Sequence, residues 1–189
     1  MTPRNINRLK LLGIGVLALL PVVGSYLLYW FWAPEDHTNY GTLIEVRALP
    51  EAPLTLVDGT PFDLQRLRGR WLLVVIDSGS CAPDCEKKLW MIRQVRQAQG
   101  EELRRVERVW LIDDSQTPDA RLGQEYAGTW MVNARTQPIL EAFQPQGTRR
   151  EHIYLVDPLG QVIMRFPRNP DPKSMIRDLR RLLKYSRIG

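Results

Sequence analysis

The apolar positions fall into four kinds of run. Leu11 to Trp32 contains no Asp, Glu, Lys, Arg or His, and at ~1.5 Å rise per residue a helix of that length spans roughly 30 Å, one hydrocarbon core. Trp71-Leu-Leu-Val-Val-Ile76 is short and apolar on both faces, the pattern of a central strand covered on either side by helices. Leu89, Ile92 and Val95 recur at helical spacing over Glu86 to Gln99, with Gly100 placed to cap. Met175, Ile176, Leu179, Leu182 and Leu183 do the same between Pro172 and Tyr185.

Between these lie the weaker signals. Leu54 to Val57 and Pro61 to Leu64 flank Asp58-Gly59, a pair that favours a tight hairpin turn. Val106 to Ile112 reads as a second strand, Pro118 to Tyr126 as a helix with Thr117 at its N-cap, Trp130 to Val132 as a short strand and Pro138 to Phe143 as a helix. His152 to Asp157 and Gln161 to Phe166 flank Pro158-Leu-Gly160 as a hairpin. Strand, helix, strand, helix, then hairpin and helix is an α/β pattern, in which crossovers build parallel pairs and the hairpin adds an antiparallel edge. This is the order of a thioredoxin-like domain.

The chain accordingly divides into a cytoplasmic N-terminus at 1–10, a transmembrane anchor at 11–32, a linker at 33–50 and a thioredoxin-like domain at 51–189. The linker follows from Pro34, Asn39, Gly41 and Pro50 amid mixed polarity. Arg4, Arg8 and Lys10 precede the apolar run, and Tyr26, Tyr29, Trp30, Phe31 and Trp32 close it, so the positive flank is expected inside and the domain outside. The run exceeds the ~7 to 15 residues of a signal-peptide core and no small-x-small site follows, which favours an uncleaved anchor. The implied location is the inner membrane, with the domain in the periplasm or an equivalent compartment.

The formal charge of +5 resides partly in the N-terminal tip and partly in Lys173, Arg177, Arg180, Arg181, Lys184 and Arg187. These basic residues lack aromatic interleaving, which argues against nucleic acid. They read as the solvated face of a helix packed on a sheet, with a surface that rests on anionic lipid as the alternative.

The two cysteines, Cys81 and Cys85, stand in Ser80-Cys-Ala-Pro-Asp-Cys-Glu86, behind the apolar strand. In an oxidising compartment they can form a disulfide, and as thiolates they suit disulfide exchange or Cu(I). A helix N-terminus favours thiolate, while Asp84 and Glu86 oppose it. Met91, Met131 and Met164 lie in apolar patterns and read as core; His37 reads as polar linker.

The chain resembles the Sco/SenC family of thioredoxin-fold, membrane-anchored cytochrome oxidase assembly proteins. The resemblance is carried by Leu56-Val-Asp-Gly-Thr-Pro-Phe-Asp-Leu64, Arg68-Gly-Arg-Trp-Leu-Leu-Val-Val75, Cys81-Ala-Pro-Asp-Cys85, Val109-Trp-Leu-Ile-Asp-Asp114 and Tyr154-Leu-Val-Asp-Pro-Leu-Gly160. It implies copper held by two cysteines and one histidine, with the copper-bearing subunit of cytochrome oxidase, or another copper or thiol protein, as partner. Two positions depart: Arg149 stands at the place of the family's copper histidine, and Glu86 where a proline usually follows the second cysteine. His152 is the histidine nearest the expected site, either a third copper ligand beside Cys81 and Cys85 or a hydrogen-bonded residue at a strand start. Three functions follow as expectations: copper delivery or thiol reduction in oxidase assembly, metal-independent thiol–disulfide exchange, and docking without catalysis.

Overall fold

The computed structural model describes residues 3–31 and 39–186, so His37 and Arg187 lie outside the described residues. The chain forms two compact units, one carrying the N-terminal helix and the other beginning at Asn39.

Helix α1 runs from Pro3 to Phe31 and passes Pro21 without interruption. Its Gly13–Trp30 stretch is long and apolar enough to cross a membrane, and its described side chains are almost all exposed. An exposed apolar helix finds its stable partner in lipid, where every backbone group is already bonded within the helix.

The second unit is built on one eight-stranded sheet in the order β1-β8-β7-β4-β5-β6-β2-β3. The strands are β1 (Thr42–Ala48), β2 (Leu54–Leu56), β3 (Pro61–Phe62), β4 (Trp71–Asp77), β5 (Val106–Ile112), β6 (Thr129–Asn133), β7 (Ile153–Val156) and β8 (Gln161–Arg165). β4, β5 and β6 are parallel; β7 joins β4 antiparallel and β8 returns along β7. Every residue of β4 and β5 is buried, and a fully buried aliphatic side chain contributes ~1.5 to 3 kcal/mol.

The two faces of β4 meet different covers. Trp71, Leu73 and Val75 pack with Leu89, Ile92 and Val95 of α2 (Pro83–Gln97) and Met175, Leu179 and Leu183 of α4 (Pro172–Tyr185). Leu72, Val74 and Ile76 pack against Leu49, Leu64, Leu67, Ile139 and Phe143. The sequence predicts helices on both sides, but the second face is closed by single 3-10 turns at Leu64–Leu67 and Pro138–Ala142. The latter ends where Phe143 turns extended, and Pro145 keeps Gln144 from resuming an α conformation.

Two further expectations change. The short helix α3 (Ala120–Glu125) is capped by Asp119, whose carboxylate accepts the Arg121 N–H at 2.8 Å, and not by Thr117. The segment expected as linker contains β1, which pairs antiparallel with β8, Thr42 opposite Arg165 and Ala48 opposite Gln161. The outer strand of a hairpin presents a row of unpaired backbone groups, and the β-rich Thr42-Leu-Ile-Glu-Val46 satisfies them.

The start of β1 is fastened to α4, since the Gly41 N–H donates to the buried Asp178 carboxylate at 2.8 Å. A hydrogen bond to a charged partner contributes roughly 1.5 to 3 kcal/mol. Asp178→Ala is therefore expected to lower unfolding stability by about 2 kcal/mol, seen as a lower urea midpoint at unchanged slope. An unchanged midpoint would show that β1 is held by its ladder alone.

Candidate redox site

The carboxyl ends of parallel strands are where an α/β sheet gathers its functional groups, and the chain leaves β4 there. Asp77 closes the strand, Ser78 to Ala82 make the loop, and α2 begins at Pro83. Proline suits the first helical position because its missing N–H has no intrahelical partner to lose. Cys85 therefore sits within the first turn of α2, where its N–H donates to the Ala82 carbonyl at 2.8 Å.

Several contacts fix the loop. The Cys81 N–H donates to the Ser78 carbonyl at 3.1 Å, the Ser78 and Ser80 hydroxyls share a hydrogen bond at 2.8 Å, and the Gly79 N–H donates to Asp114 Oδ1 at 3.1 Å. A Cβ on Gly79 would overlap the Gln116 carbonyl, so glycine is required by the approach of the 114–116 loop. Cys81 holds φ at +42°, a left-handed conformation that residues with a Cβ rarely adopt. The bend brings the two cysteines to a Cα separation of 5.1 Å, and they are joined as a disulfide. Cys81 keeps 8% exposure against 1% for Cys85, so Cys81 is the more exposed residue of the pair, while Cys85 borders the neighbouring cleft.

Beside the disulfide lies a charge network. Lys88, one helical turn beyond Cys85, is buried; its ammonium pairs with Asp77 at 2.6 Å and donates to the Arg150 carbonyl. The Arg150 side chain, from a 3-10 turn at Arg149–Glu151 ahead of β7, donates to Asp113 at 2.7 and 3.0 Å and to Asp114 at 3.2 Å. Hydrogen bonds to Asp113 hold the Arg150 guanidinium above its ordinary pKa. Loss of solvent pushes the Asp114 carboxyl up, but the Ser78, Gly79 and Gln116 hydrogen bonds and the Arg150 charge outweigh this and hold it below the usual aspartate value. One network thus ties the ends of β4 and β5 to α2 and to the turn ahead of β7. Asp77, Asp84, Cys85, Lys88, Arg150 and Arg168 border a cleft of about 180 Å³ beside it.

Glu86 does not face the sulfur chemistry unpaired. Arg121 binds it through both carboxylate oxygens, at 2.9 and 3.0 Å, and holds it below the ordinary glutamate range. Asp77, Asp84 and Glu151 are the acidic residues that line the cleft.

His152 is buried and placed elsewhere. Its Nδ1 lies 2.9 Å from the Phe166 carbonyl and its Nε2 2.9 Å from the Gln146 carbonyl, while the ring meets Tyr154 edge-on at 6.0 Å. Ile153 and Leu155 face the cysteine side of the sheet and Tyr154 the other, so alternation along β7 puts His152 with Tyr154. Among the described residues no group of three or more His, Cys, Asp or Glu side chains is arranged to hold a metal ion. Copper needs thiolate and a free imidazole nitrogen. The oxidised pair presents no thiolate, and His152, with both ring nitrogens against carbonyls, is not placed as a third ligand beside it; the two cysteines alone remain the soft donors that copper would find here once reduced.

Sequence reasoning missed Asp77, Lys88 and Arg150. A signal for Lys88 was present: it falls on the stripe of Cys85, Leu89 and Ile92 that α2 buries, and a lysine there needs a counter-charge. Asp77 is the first ionisable residue after the apolar run and supplies it.

An α/β domain with a two-cysteine loop between its central strand and following helix is a thioredoxin-like domain. The sequence matches the transmembrane-like, thioredoxin-like, C-terminal domain family over residues 71–186, and the chain belongs to that family. No curated protein matches the sequence. Copper-bound ScoI of Bradyrhizobium japonicum is similar with a TM-score of 0.55 at 18% identity, covering 71% of this chain and 99% of its own. Copper-bound yeast Sco1 gives 0.59 at 16%, covering 74% and 94%. A thiol:disulfide interchange protein of the thioredoxin family from Chlorobium tepidum gives 0.53 at 20%, covering 75% and 96%. The likeness to all three is one of fold, the thioredoxin-like fold.

Removing one partner of a buried ion pair leaves an uncompensated charge and costs ~3 to 5 kcal/mol. Lys88→Met is expected to destabilise the oxidised domain by about 3 kcal/mol, and the double change Asp77→Asn, Lys88→Met by clearly less. Chemical denaturation of both variants checks this; equal losses would mean that the two charges are not coupled.

Proposed function

We propose that this protein is a membrane-anchored thiol–disulfide exchange protein whose thioredoxin-like domain faces an oxidising compartment and works through Cys81 and Cys85. The observation that carries the reading is the closed Cys81–Cys85 disulfide at the strand–helix junction, with Cys81 the more exposed residue of the pair. A persistent disulfide belongs outside a reducing cytosol, which fits a short cytoplasmic N-terminus, α1 in the inner membrane and the domain in the periplasm.

In the reduced protein the Cys81 thiolate attacks one sulfur of a partner's disulfide, and the partner's other sulfur leaves as thiolate. Cys85 then loses its proton and attacks the Cys81 sulfur, releasing the partner as a dithiol and closing the Cys81–Cys85 bond. Two electrons pass to the partner, and another dithiol protein must return them. The dipole at the start of α2 favours thiolate at Cys85. The Arg121–Glu86 pairing lessens the opposing charge.

The fitting partner is a protein whose metal-binding cysteines must be reduced before loading, such as the copper-bearing subunit of a cytochrome oxidase; the fold shared with Sco proteins supports that class. Copper carriage by Cys81, Cys85 and His152 is the competing reading. Both nitrogens of His152 are engaged by carbonyls, and this favours exchange of electrons over carriage of the metal.

Incubating the reduced protein with a cystine-bridged peptide tests the reading. Cys85→Ser is expected to accumulate a mixed disulfide on Cys81, and Cys81→Ser to accumulate essentially none. The reduced wild type is expected to retain far less than equimolar Cu(I) after desalting. Near-equimolar Cu(I), lost in His152→Ala, would establish the copper carrier instead, and absence of any mixed disulfide would defeat the exchange reading.

A further inference from the structure

We propose that the exposed face of α4 is a docking surface for anionic phospholipid headgroups. The inference rests on the reading of α1 as a membrane anchor.

The apolar stripe of α4 is already used. Met175, Leu179 and Leu183 are buried against the sheet, so the helix cannot also insert into lipid by that face. What it presents outward is a row of cations: Lys173, Arg177, Arg180, Arg181 and Lys184 are all exposed, and they border an open groove of about 490 Å³ that ends at Tyr185. Positions 173, 177, 180, 181 and 184 recur at three- and four-residue intervals, which places them along one side of a helix.

Of the acidic residues of the element, Asp171 is close enough to attract Lys173, and the other is turned inward. Asp178 is buried and accepts the Gly41 N–H. Asp171 caps the helix, where its carboxylate accepts the Ser174 N–H and hydroxyl at 2.9 and 2.8 Å. Arg180 donates to the neutral Ala98 carbonyl at 3.1 Å, and the Lys184 ammonium stands 5.9 Å from the Tyr185 ring. Like charges four residues apart, as at 173 and 177 or 180 and 184, destabilise a helix. An anionic surface reverses the sign of that contribution.

Chain connectivity selects lipid over a soluble acidic partner. From Phe31, the end of α1, to Asn39, the start of the domain, even a fully extended chain covers at most about 29 Å. A membrane-inserted protein therefore holds the domain within a few nanometres of headgroups at all times. Each basic side chain near an anionic bilayer is attracted within a Debye length, ~8 to 10 Å at ordinary ionic strength. Because α4 supplies charge and not apolar surface, the contact should be salt-sensitive. Tyr185, 75% exposed, is the aromatic placed to sit among headgroups.

The full chain, reconstituted in phosphatidylcholine vesicles with or without phosphatidylglycerol, provides the test. Flotation after an alkaline wash first establishes that α1 is inserted, independently of lipid charge. A membrane-impermeant amine-acylating reagent is then applied and the modified lysines are read by mass spectrometry, with exposed Lys87 of α2 as internal reference. Lys173 and Lys184 are expected to react about fivefold more slowly when phosphatidylglycerol is present, an effect abolished by high salt and diminished in Arg177→Glu. Equal rates in the two lipids, with flotation intact, would overturn the proposal, as would protection that appears only on adding an acidic protein. Failure to float in either lipid would instead overturn the anchor.

Discussion

Everything at the redox site depends on the burial of β4. With every residue of that strand buried, β5 parallel on one side and β7 antiparallel on the other, its register has no freedom. A shift by one residue would exchange Leu73 and Val75 for Leu72 and Val74 beneath α2 and α4. The strand's carboxyl end is therefore fixed, and the loop must turn from Asp77 into α2 within a few residues. The left-handed Cys81 and the glycine at 79 are the consequence of that short path, and the same path brings the two sulfurs together.

The second constraint is charge. Burying Lys88 on the inner stripe of α2 requires an anion, and Asp77 at the end of β4 is placed to provide it. Lys88 also donates to the backbone of Arg150, whose side chain spans Asp113 and Asp114 at the end of β5. Cations and anions thus alternate beside the disulfide, and the loop bearing Cys81 is attached to the network through Gly79 and Asp114. Such a network rigidifies when every member is satisfied. On the proposed function, the cysteine pair is the part of the site that changes its bonding.

Much of this was legible in the sequence because the signals were local. The unbroken run Trp71 to Ile76 fixed the central strand, the stripe Met175, Leu179 and Leu183 fixed α4, and the two cysteines announced their own chemistry. β1 was not legible because its partner, β8, lies more than a hundred residues away, and proline, glycine and asparagine around it imitate a tether. The pairing of Lys88 with Asp77 was hidden for a related reason: each residue is ordinary alone, and only the packing of α2 on β4 makes them neighbours. His152 shows the limit of placement by motif. Its position at a strand start was read correctly, but which way the ring turns is set by the alternation of Ile153, Tyr154 and Leu155 about the sheet.

The central claim is that Cys81 and Cys85 form an exchanging pair and not a fixed staple. Equilibrating the full chain in detergent with glutathione or dithiothreitol buffers, then alkylating and weighing the protein, gives the reduction potential of the pair directly. The account predicts a value in the range of exchange-active pairs, about −120 to −270 mV, whereas a value below about −300 mV, typical of structural disulfides, would contradict it.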